Sequence, residues 1–381
     1  MTTNKQGELK KMLADFYVTN FRGFGNKPFH VDLITKKSYE FNSDRIEDSM
    51  IKHALIYGRN GSGKSNLGLA LLDLTSHINS SDINKSLHSN YLNADTRKDD
   101  YAYFKYKFHF GDDVVEYDYT KKEASKTLTE NLTINDNVVL MLNRKDEKFF
   151  VNLAGAENLS RDVLDTPISL VKYVKSSAVL DPKNHNAKVF KKFVNFVSGM
   201  VYFRTLTGNA DFYGQVLDTD RLSKSIIQAD KLSDFEKFLN NAGIKCNLTL
   251  IGEDNEQRIA FNFANKKIPF SIAASTGTMS LGVFYYWWLK LESNKLTFAY
   301  IDEFDAYYHF SLAKLLVEKI TSTNCQSLIT THNVTVMSND LLRPDCYFVM
   351  ADELYPLYTL VNKELRKAHN LEKIFKGLDY D

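Results

Sequence analysis

Gly58-Arg59-Asn60-Gly61-Ser62-Gly63-Lys64-Ser65 is the stretch that decides the fold. It matches G-x-x-x-x-G-K-S at every position. It follows the apolar run Ala54-Leu55-Ile56-Tyr57 and opens a helical stretch that begins Ser65-Asn66-Leu67. Glycines at these places let consecutive backbone N–H groups curl around a β-phosphate, and the helix start behind them adds its partial positive charge. Lys64 is then placed to meet the β- and γ-phosphates and Ser65 to offer a hydroxyl to Mg²⁺. With glycine near 7% of residues, such a pattern arises by chance in roughly 1 chain in 100 of this length, and the strand before it and helix after it make that rarer. The expectation is an α/β P-loop NTPase that binds ATP with Mg²⁺ through Gly58, Asn60, Gly61, Ser62, Gly63, Lys64, Ser65 and Asn66.

A second stretch, Leu296-Thr297-Phe298-Ala299-Tyr300-Ile301-Asp302-Glu303-Phe304-Asp305, reads as an apolar strand that ends in carboxylates. Such a strand carries Asp302 to the C-terminal edge of the sheet, where Mg²⁺ would sit beside the phosphate loop. Glu303 follows directly, placed to polarise the attacking water. A buried strand ending in an acidic turn is common by itself; the intact phosphate loop is what gives this one a catalytic reading. Farther on, the strand Gln326–Thr330 ends in Thr331-His332-Asn333. His332 could face the γ-phosphate or the water, although Thr331 and Asn333 also suit a plain helix cap. Between the two motifs lies Ala274-Ser275-Thr276-Gly277-Thr278-Met279-Ser280-Leu281. A small polar loop ahead of a helix can bind an anion or simply cap the helix.

Composition narrows the setting. The 381 residues exceed an ordinary single compact domain, and 44% hydrophobic residues are enough for a full core. The 48 basic and 47 acidic residues leave a net charge of +1, which gives no electrostatic argument for nucleic acid. Cys246, Cys325 and Cys346 are scattered and not spaced as zinc ligands, which suits a reducing cytosol. The opening residues MTTNKQGELKKMLADFY lack the apolar core of a secretory leader. No apolar run approaches the ~20 residues that span a bilayer. The expected location is therefore cytoplasmic, with no membrane contact.

Alternation marks strands through the first part of the chain, among them Asp15–Phe21, His53–Tyr57, Tyr101–Phe110 and Val114–Tyr119, with a hairpin turn at Gly111-Asp112-Asp113. One helix interrupts them, from near Lys64 to about Ile78. From Ser160 to Gly243 the spacing turns helical, as in FKKFVNFVSGMVYF. Strands and helices alternate after that. Three regions are expected: 1–159, strand-rich with the phosphate loop; 160–245, a helical lobe; and 246–381, an α/β lobe.

Taken in order, GRNGSGKS, ASTGTMSL, the strand ending Ile301-Asp302-Glu303, and Thr330-Thr331-His332-Asn333 resemble the ABC-type ATPase head of the SMC, RecF and OLD proteins. Val18-Thr19-Asn20-Phe21-Arg22-Gly23-Phe24 looks like the opening strand of those heads. The resemblance is closest to ATP-binding subunits of prokaryotic antiphage systems such as PARIS and Septu, and extends to Leu342-Arg343-Pro344-Asp345 and Glu364-Leu365-Arg366-Lys367. It implies an ATPase in which Glu303 is the general base, His332 the switch histidine, and Asp302 with Ser65 the metal site. It implies that Ser275, Thr276 and Gly277 form a signature that meets the ATP of a second copy. The implied partners are therefore a second copy of this chain, in a homodimer or higher oligomer, and an effector such as a nuclease or toxin. A RecF- or SMC-like DNA-repair ATPase is the alternative. This chain departs from the pattern twice: the signature lacks a second glycine and glutamine, and no glutamine lies between Phe149 and Asp181 for the loop that links ATP to partner movement. No long coiled coil is present, and the segment after His332 is too short for the TOPRIM nuclease domain of the OLD nucleases.

Other residues have simpler expectations. Phe284-Tyr285-Tyr286-Trp287-Trp288 sits on a helix apolar enough to be buried in the core, rather than stacking on bases. Lys188, Lys191 and Lys192 read as a solvated helix face. His309 is given a structural role, and Arg22 approaches the nucleotide on resemblance alone.

Overall fold

The computed structural model describes residues 11–79, 90–97, 100–204, 212–213, 219–253, 256–305 and 310–378. Strands whose residues are nearly all buried build the sheet that carries the phosphate loop. Met200–Arg204, Phe298–Asp302, Gln326–Thr330, His53–Tyr57 and Tyr347–Met350 lie side by side in that order, all parallel. Burial on both faces explains the apolar runs within His53–Tyr57 and Phe298–Asp302. Short antiparallel strands, Phe212–Tyr213 and Leu354–Pro356, close the two edges. Because the core strands are parallel, Arg204, Asp302, Thr330 and Tyr57 all end at one edge of the sheet, where an open α/β sheet binds its ligand.

The first part of the chain mostly forms a second, antiparallel sheet. Its order is Lys148–Val151, Asn137–Asn143, Lys126–Ile134, Asp113–Glu123, Ala102–Phe110, Lys11–Thr19, Phe29–Asp32. Here burial alternates residue by residue, strictly so along Ala102–Phe110, because only one face meets the core. The hairpin turns at Gly111-Asp112, between the paired Phe110 and Asp113, with Gly111 in the left-handed region at φ 73°.

The helix Lys64–Ile78 lies between the sheets. Gly68 faces the parallel sheet so closely that a Cβ there would fall 2.4 Å from a Tyr300 ring carbon and 2.6 Å from one of Tyr202. On the other side, the Tyr106 hydroxyl donates to the Ala70 carbonyl at 2.9 Å. The second half of the helix enters a buried polar network of the antiparallel sheet. Asp73 accepts from Lys121 Nζ at 2.8 Å, from the Tyr119 hydroxyl at 2.8 Å and from the Tyr91 hydroxyl at 3.1 Å. His77 lies 2.6 Å from the Tyr117 hydroxyl, which also donates to Glu130.

The helical reading of FKKFVNFVSGMVYF, within the helical stretch expected from Ser160 to Gly243, needs correction past Ser198. Helices do occupy Leu170–Ser177, His185–Ser198, Thr219–Gln228 and Leu232–Asn241. Met200–Arg204, however, is a strand of the parallel sheet. Helical spacing holds only as far as Ser198. Gly199 then caps the helix, packed so tightly that a Cβ would meet Thr297 Oγ1 at 2.8 Å. The unbroken Met-Val-Tyr-Phe run that follows is a strand covered on both faces, whose signal a short window cannot tell from a buried helix.

The C-terminal region adds a three-stranded sheet, Leu248–Ile251, Arg258–Asn262 and Lys267–Pro269, and the helix Thr276–Glu292. The aromatic run Phe284–Trp288 is buried on this helix, as its apolar surroundings predict. Lys192 pairs with Asp113 at 3.7 Å. His309 lies outside the described residues. Among the described residues no helix is long and apolar enough to cross a membrane.

Candidate functional site

The phosphate loop leaves the buried strand His53–Tyr57 and turns on its glycines. Gly61 and Gly63 take φ of 82° and 99°, the left-handed region that disfavours any side chain. Gly58 is needed for space instead: a Cβ there would lie 2.6 Å from Ser62 Oγ and 2.8 Å from the Met350 carbonyl. The helix Lys64–Ile78 begins directly after Gly63, so its first N–H groups point back into the loop. The Ser62 hydroxyl is buried and finds no hydrogen-bond partner among the described residues. A loop that leads into a helix N-terminus and holds an unsatisfied buried hydroxyl fits an anion such as phosphate.

Lys64 Nζ donates to the carbonyls of Gly58 at 2.8 Å and Arg59 at 3.0 Å. Burial pulls its pKa below the usual lysine range, and the carboxylates of Asp302 and Glu303 oppose that pull. A cleft of about 160 Å³ opens over the loop. Asn60, Gly61, Gly63, Lys64, Ser65 and Asn66 line one side; Glu303 and His332 line the other. Residues distant in sequence thus meet where the parallel strands end.

Asp302 is fully buried at the end of its strand. It accepts from the Tyr202 hydroxyl at 3.0 Å and from Thr330 Oγ1 at 2.7 Å. Arg204 Nε stands 3.5 Å from the same oxygen that Tyr202 bonds. Among the described residues no group of three or more His, Cys, Asp or Glu side chains could hold a metal by itself. A cation here would depend on Asp302, Ser65 and the phosphates of a nucleotide. That is how Mg²⁺ is usually held, by one or two protein oxygens and the substrate.

Glu303 adopts the left-handed conformation at φ 49°, which costs a non-glycine residue about 1–2 kcal/mol. Its N–H is bonded to Thr330 Oγ1 at 2.8 Å, and its carboxylate accepts from Arg204 Nη2 at 3.0 Å and Nε at 3.3 Å. Burial lowers the His332 pKa, helped by the Lys64 charge and opposed by Glu303, Asp305 and Asp302. The ring is therefore neutral at pH 7 and can accept as well as donate a hydrogen bond. Asn333 accepts from the Thr335 N–H and caps the turn behind His332, so the segment caps a turn and still presents the histidine.

Sequence reasoning missed Arg204, Tyr202 and Thr330 as neighbours of the carboxylates. Arg22 Nε donates to Asn66 Oδ1 at 3.2 Å, beside the first turn of the helix.

The expected signature residues stand apart from this cleft. Ser275 caps the helix Thr276–Glu292, its Oγ accepting from the Thr278 N–H at 3.2 Å. A Cβ on Gly277 would meet nothing within 4 Å. Ser275 and Thr278 border a larger cavity of about 760 Å³, walled by Lys245, Phe261 and Phe263 among others. Ser275, Thr276 and Gly277 do not line the phosphate cleft of the same chain.

A protein-family model described as "AAA domain, putative AbiEii toxin, Type IV TA system" matches residues 54–338. The chain belongs to this family. This AAA protein is an ATPase, and ATPases of this kind use ATP with a divalent metal. Among solved structures it is similar to an SMC head bound to the C-terminal winged-helix domain of ScpA, at 14% identity, covering 90% of this chain and 96% of that one, with TM-score 0.46. It is also similar to the SMC head domain of Thermotoga maritima (14% identity, 90% and 97% covered, TM-score 0.42). The ATP-bound recombination mediator RecF is a third (14% identity, 92% and 98% covered, TM-score 0.41). No curated protein matches the AAA chain in sequence.

Proposed function

We propose that this AAA ATPase works in an antiphage defence system, where ATP-dependent pairing of two copies controls a separate effector protein. The observation that carries the reading is the split between the two halves of the expected active site. Lys64, Ser65, Glu303 and His332 meet in one cleft. Ser275 and Gly277 lie elsewhere on the chain, with Gly277 facing open space that a second molecule can enter. In this reading the phosphate loop holds the triphosphate, Ser65 and Asp302 hold Mg²⁺, and Glu303 takes the proton of the attacking water. Mg²⁺ supplies charge neutralisation at the phosphates. The signature of a second copy completes the contacts to the γ-phosphate, so ATP joins two copies and hydrolysis frees them. The family description, with its toxin and toxin–antitoxin vocabulary, supports a defence role. The SMC head bound to ScpA supports output through a protein partner.

The test is complementation in mixed dimers. Lys64→Ala and Gly277→Asp chains should each be nearly inactive alone. Mixed, they should regain part of the ATPase activity, because a mixed dimer contains one site with both halves intact. A mixture as inactive as its parents, with mixed dimers demonstrated by cross-linking, overturns the shared site.

A further inference from the structure

Arg204 ends the strand Met200–Arg204, and its Cα partner across the parallel pair is Asp302. Both ends of its guanidinium edge therefore face the carboxylates. Nη2 and Nε converge on one Glu303 oxygen, at 3.0 and 3.3 Å, and Nε lies 3.5 Å from Asp302 Oδ2. The same strand also supplies Tyr202, whose hydroxyl bonds that Asp302 oxygen. The contact holds an otherwise strained residue, since Glu303 sits at φ 49° and is fixed from behind by Thr330. A guanidinium is charged at any working pH.

Two physical consequences follow. Two N–H groups of one planar fork bonded to the same carboxylate oxygen hold that oxygen in place more firmly than a single mobile ammonium would. A permanent positive charge 3.5 Å from Asp302 also repels a divalent cation that Asp302 would ligate.

We propose that Arg204 is a positioning residue for hydrolysis, whose fork orients Glu303 and whose charge opposes the divalent cation at Asp302. The proposal rests on the reading of Glu303 as the base. It gives the active site a trade: metal is held less tightly, and the base is held in a productive direction.

The experiment compares the full chain with Arg204→Gln and Arg204→Lys. The first readout is binding of a non-hydrolysable ATP analogue as a function of Mg²⁺ concentration, which needs no turnover. Arg204→Gln removes the charge and should need about three- to tenfold less Mg²⁺ for half-maximal binding. Arg204→Lys keeps the charge and should stay near the native requirement. The second readout is kcat for ATP. Both variants lose the fork, and both should fall about ten- to a hundredfold with little change in KM. Tighter metal together with slower turnover is a pattern that general damage to the fold does not produce. An unchanged or raised Mg²⁺ requirement in Arg204→Gln, or native kcat in either variant, overturns the proposal. If Arg204→Gln does not fold, Arg204→Lys decides alone, since native metal requirement with reduced kcat is required of it. Glu303→Gln is measured in parallel. Normal turnover there refutes the base assignment and leaves the metal-binding limb to be judged by itself.

Discussion

Asp73 and Asp302 are two buried carboxylates served by opposite faces of one helix's surroundings, and they are neutralised in different ways. Asp73 faces the antiparallel sheet and has its counter-charge built in: Lys121 at 2.8 Å, with two tyrosine hydroxyls beside it. Asp302 ends a strand of the parallel sheet and is held by hydroxyls, from Tyr202 and Thr330, with the nearest cation 3.5 Å away and engaged mainly with Glu303. A buried charge needs compensation. The first site supplies it permanently and serves as a structural joint. The second leaves part of it to come from outside, which suits the metal and nucleotide proposed to bind there.

That contrast can be broken by exchange of roles. Asp302→Asn should cost ATP hydrolysis several kcal/mol of transition-state stabilisation, about a hundredfold or more in kcat, if Asp302 is the metal ligand proposed above. Folding stability in urea should move by no more than about 1 kcal/mol, since the amide still bonds both hydroxyls. Glu303→Gln should bind ATP and hydrolyse it about 10²–10⁴-fold more slowly, as loss of the proposed general base would. Native turnover in either variant would place the chemistry elsewhere.

The structural carboxylate should answer in the opposite way. Lys121→Met leaves Asp73 buried and unpaired, and should destabilise the fold by about 3–5 kcal/mol in urea titration. Adding Asp73→Leu should restore much of that loss, because an apolar pair can replace a buried ion pair. If Lys121→Met unfolds at the native urea concentration, the joint does not bear the load assigned to it.

Acid should reach both regions through buried histidines. Burial lowers the pKa of His53, bonded to Ser327 at 2.8 Å in the parallel sheet, and of His77 in the Asp73 network. For His77 the Lys121 charge adds to the lowering and Glu130 and Asp73 oppose it. Each ring takes up a proton more readily when unfolded, so stability is full above the unfolded pKa near 6.5 and declines as pH falls below it. The slope is about 1.4 kcal/mol per pH unit for each histidine until its folded pKa is reached. His53→Gln should flatten the decline between pH 6.5 and 5 in thermal melts. A decline as steep as the native one assigns the acid sensitivity to other groups.

The phosphate loop was legible because its chemistry needs eight consecutive residues in fixed order, and Asp302-Glu303 because an apolar run delivers them. Those motifs also fixed the α/β sheet, since the loop requires a strand before it and a helix after it. Tyr202 and Arg204 were not legible, and Thr330 was read only as the start of the motif that carries His332. Each reaches the carboxylates only through strand pairing, and Tyr202 is 100 positions from Asp302. Local periodicity carries no record of such pairing. The strand that brings Tyr202 and Arg204 was hidden by helical spacing just before it; Gly199 followed by Met-Val-Tyr-Phe was the available signal. The Asp73–Lys121 joint left no trace either, because a single acid and a single lysine 48 positions apart look like ordinary surface residues.

Gly68 touches no part of the phosphate cleft, yet it sets how near the loop's helix comes to the strand bearing Asp302. With only 2.4 Å between its absent Cβ and the Tyr300 ring, even alanine must push helix and strand apart. The helix is the rod on which Lys64 and Ser65 ride, and misplacement by about 1 Å can cost a hundredfold in rate. In a genetic screen, position 68 would thus score among the inactive alleles while the protein still accumulates in the cell, and revertants would arise as smaller side chains at 202 or 300.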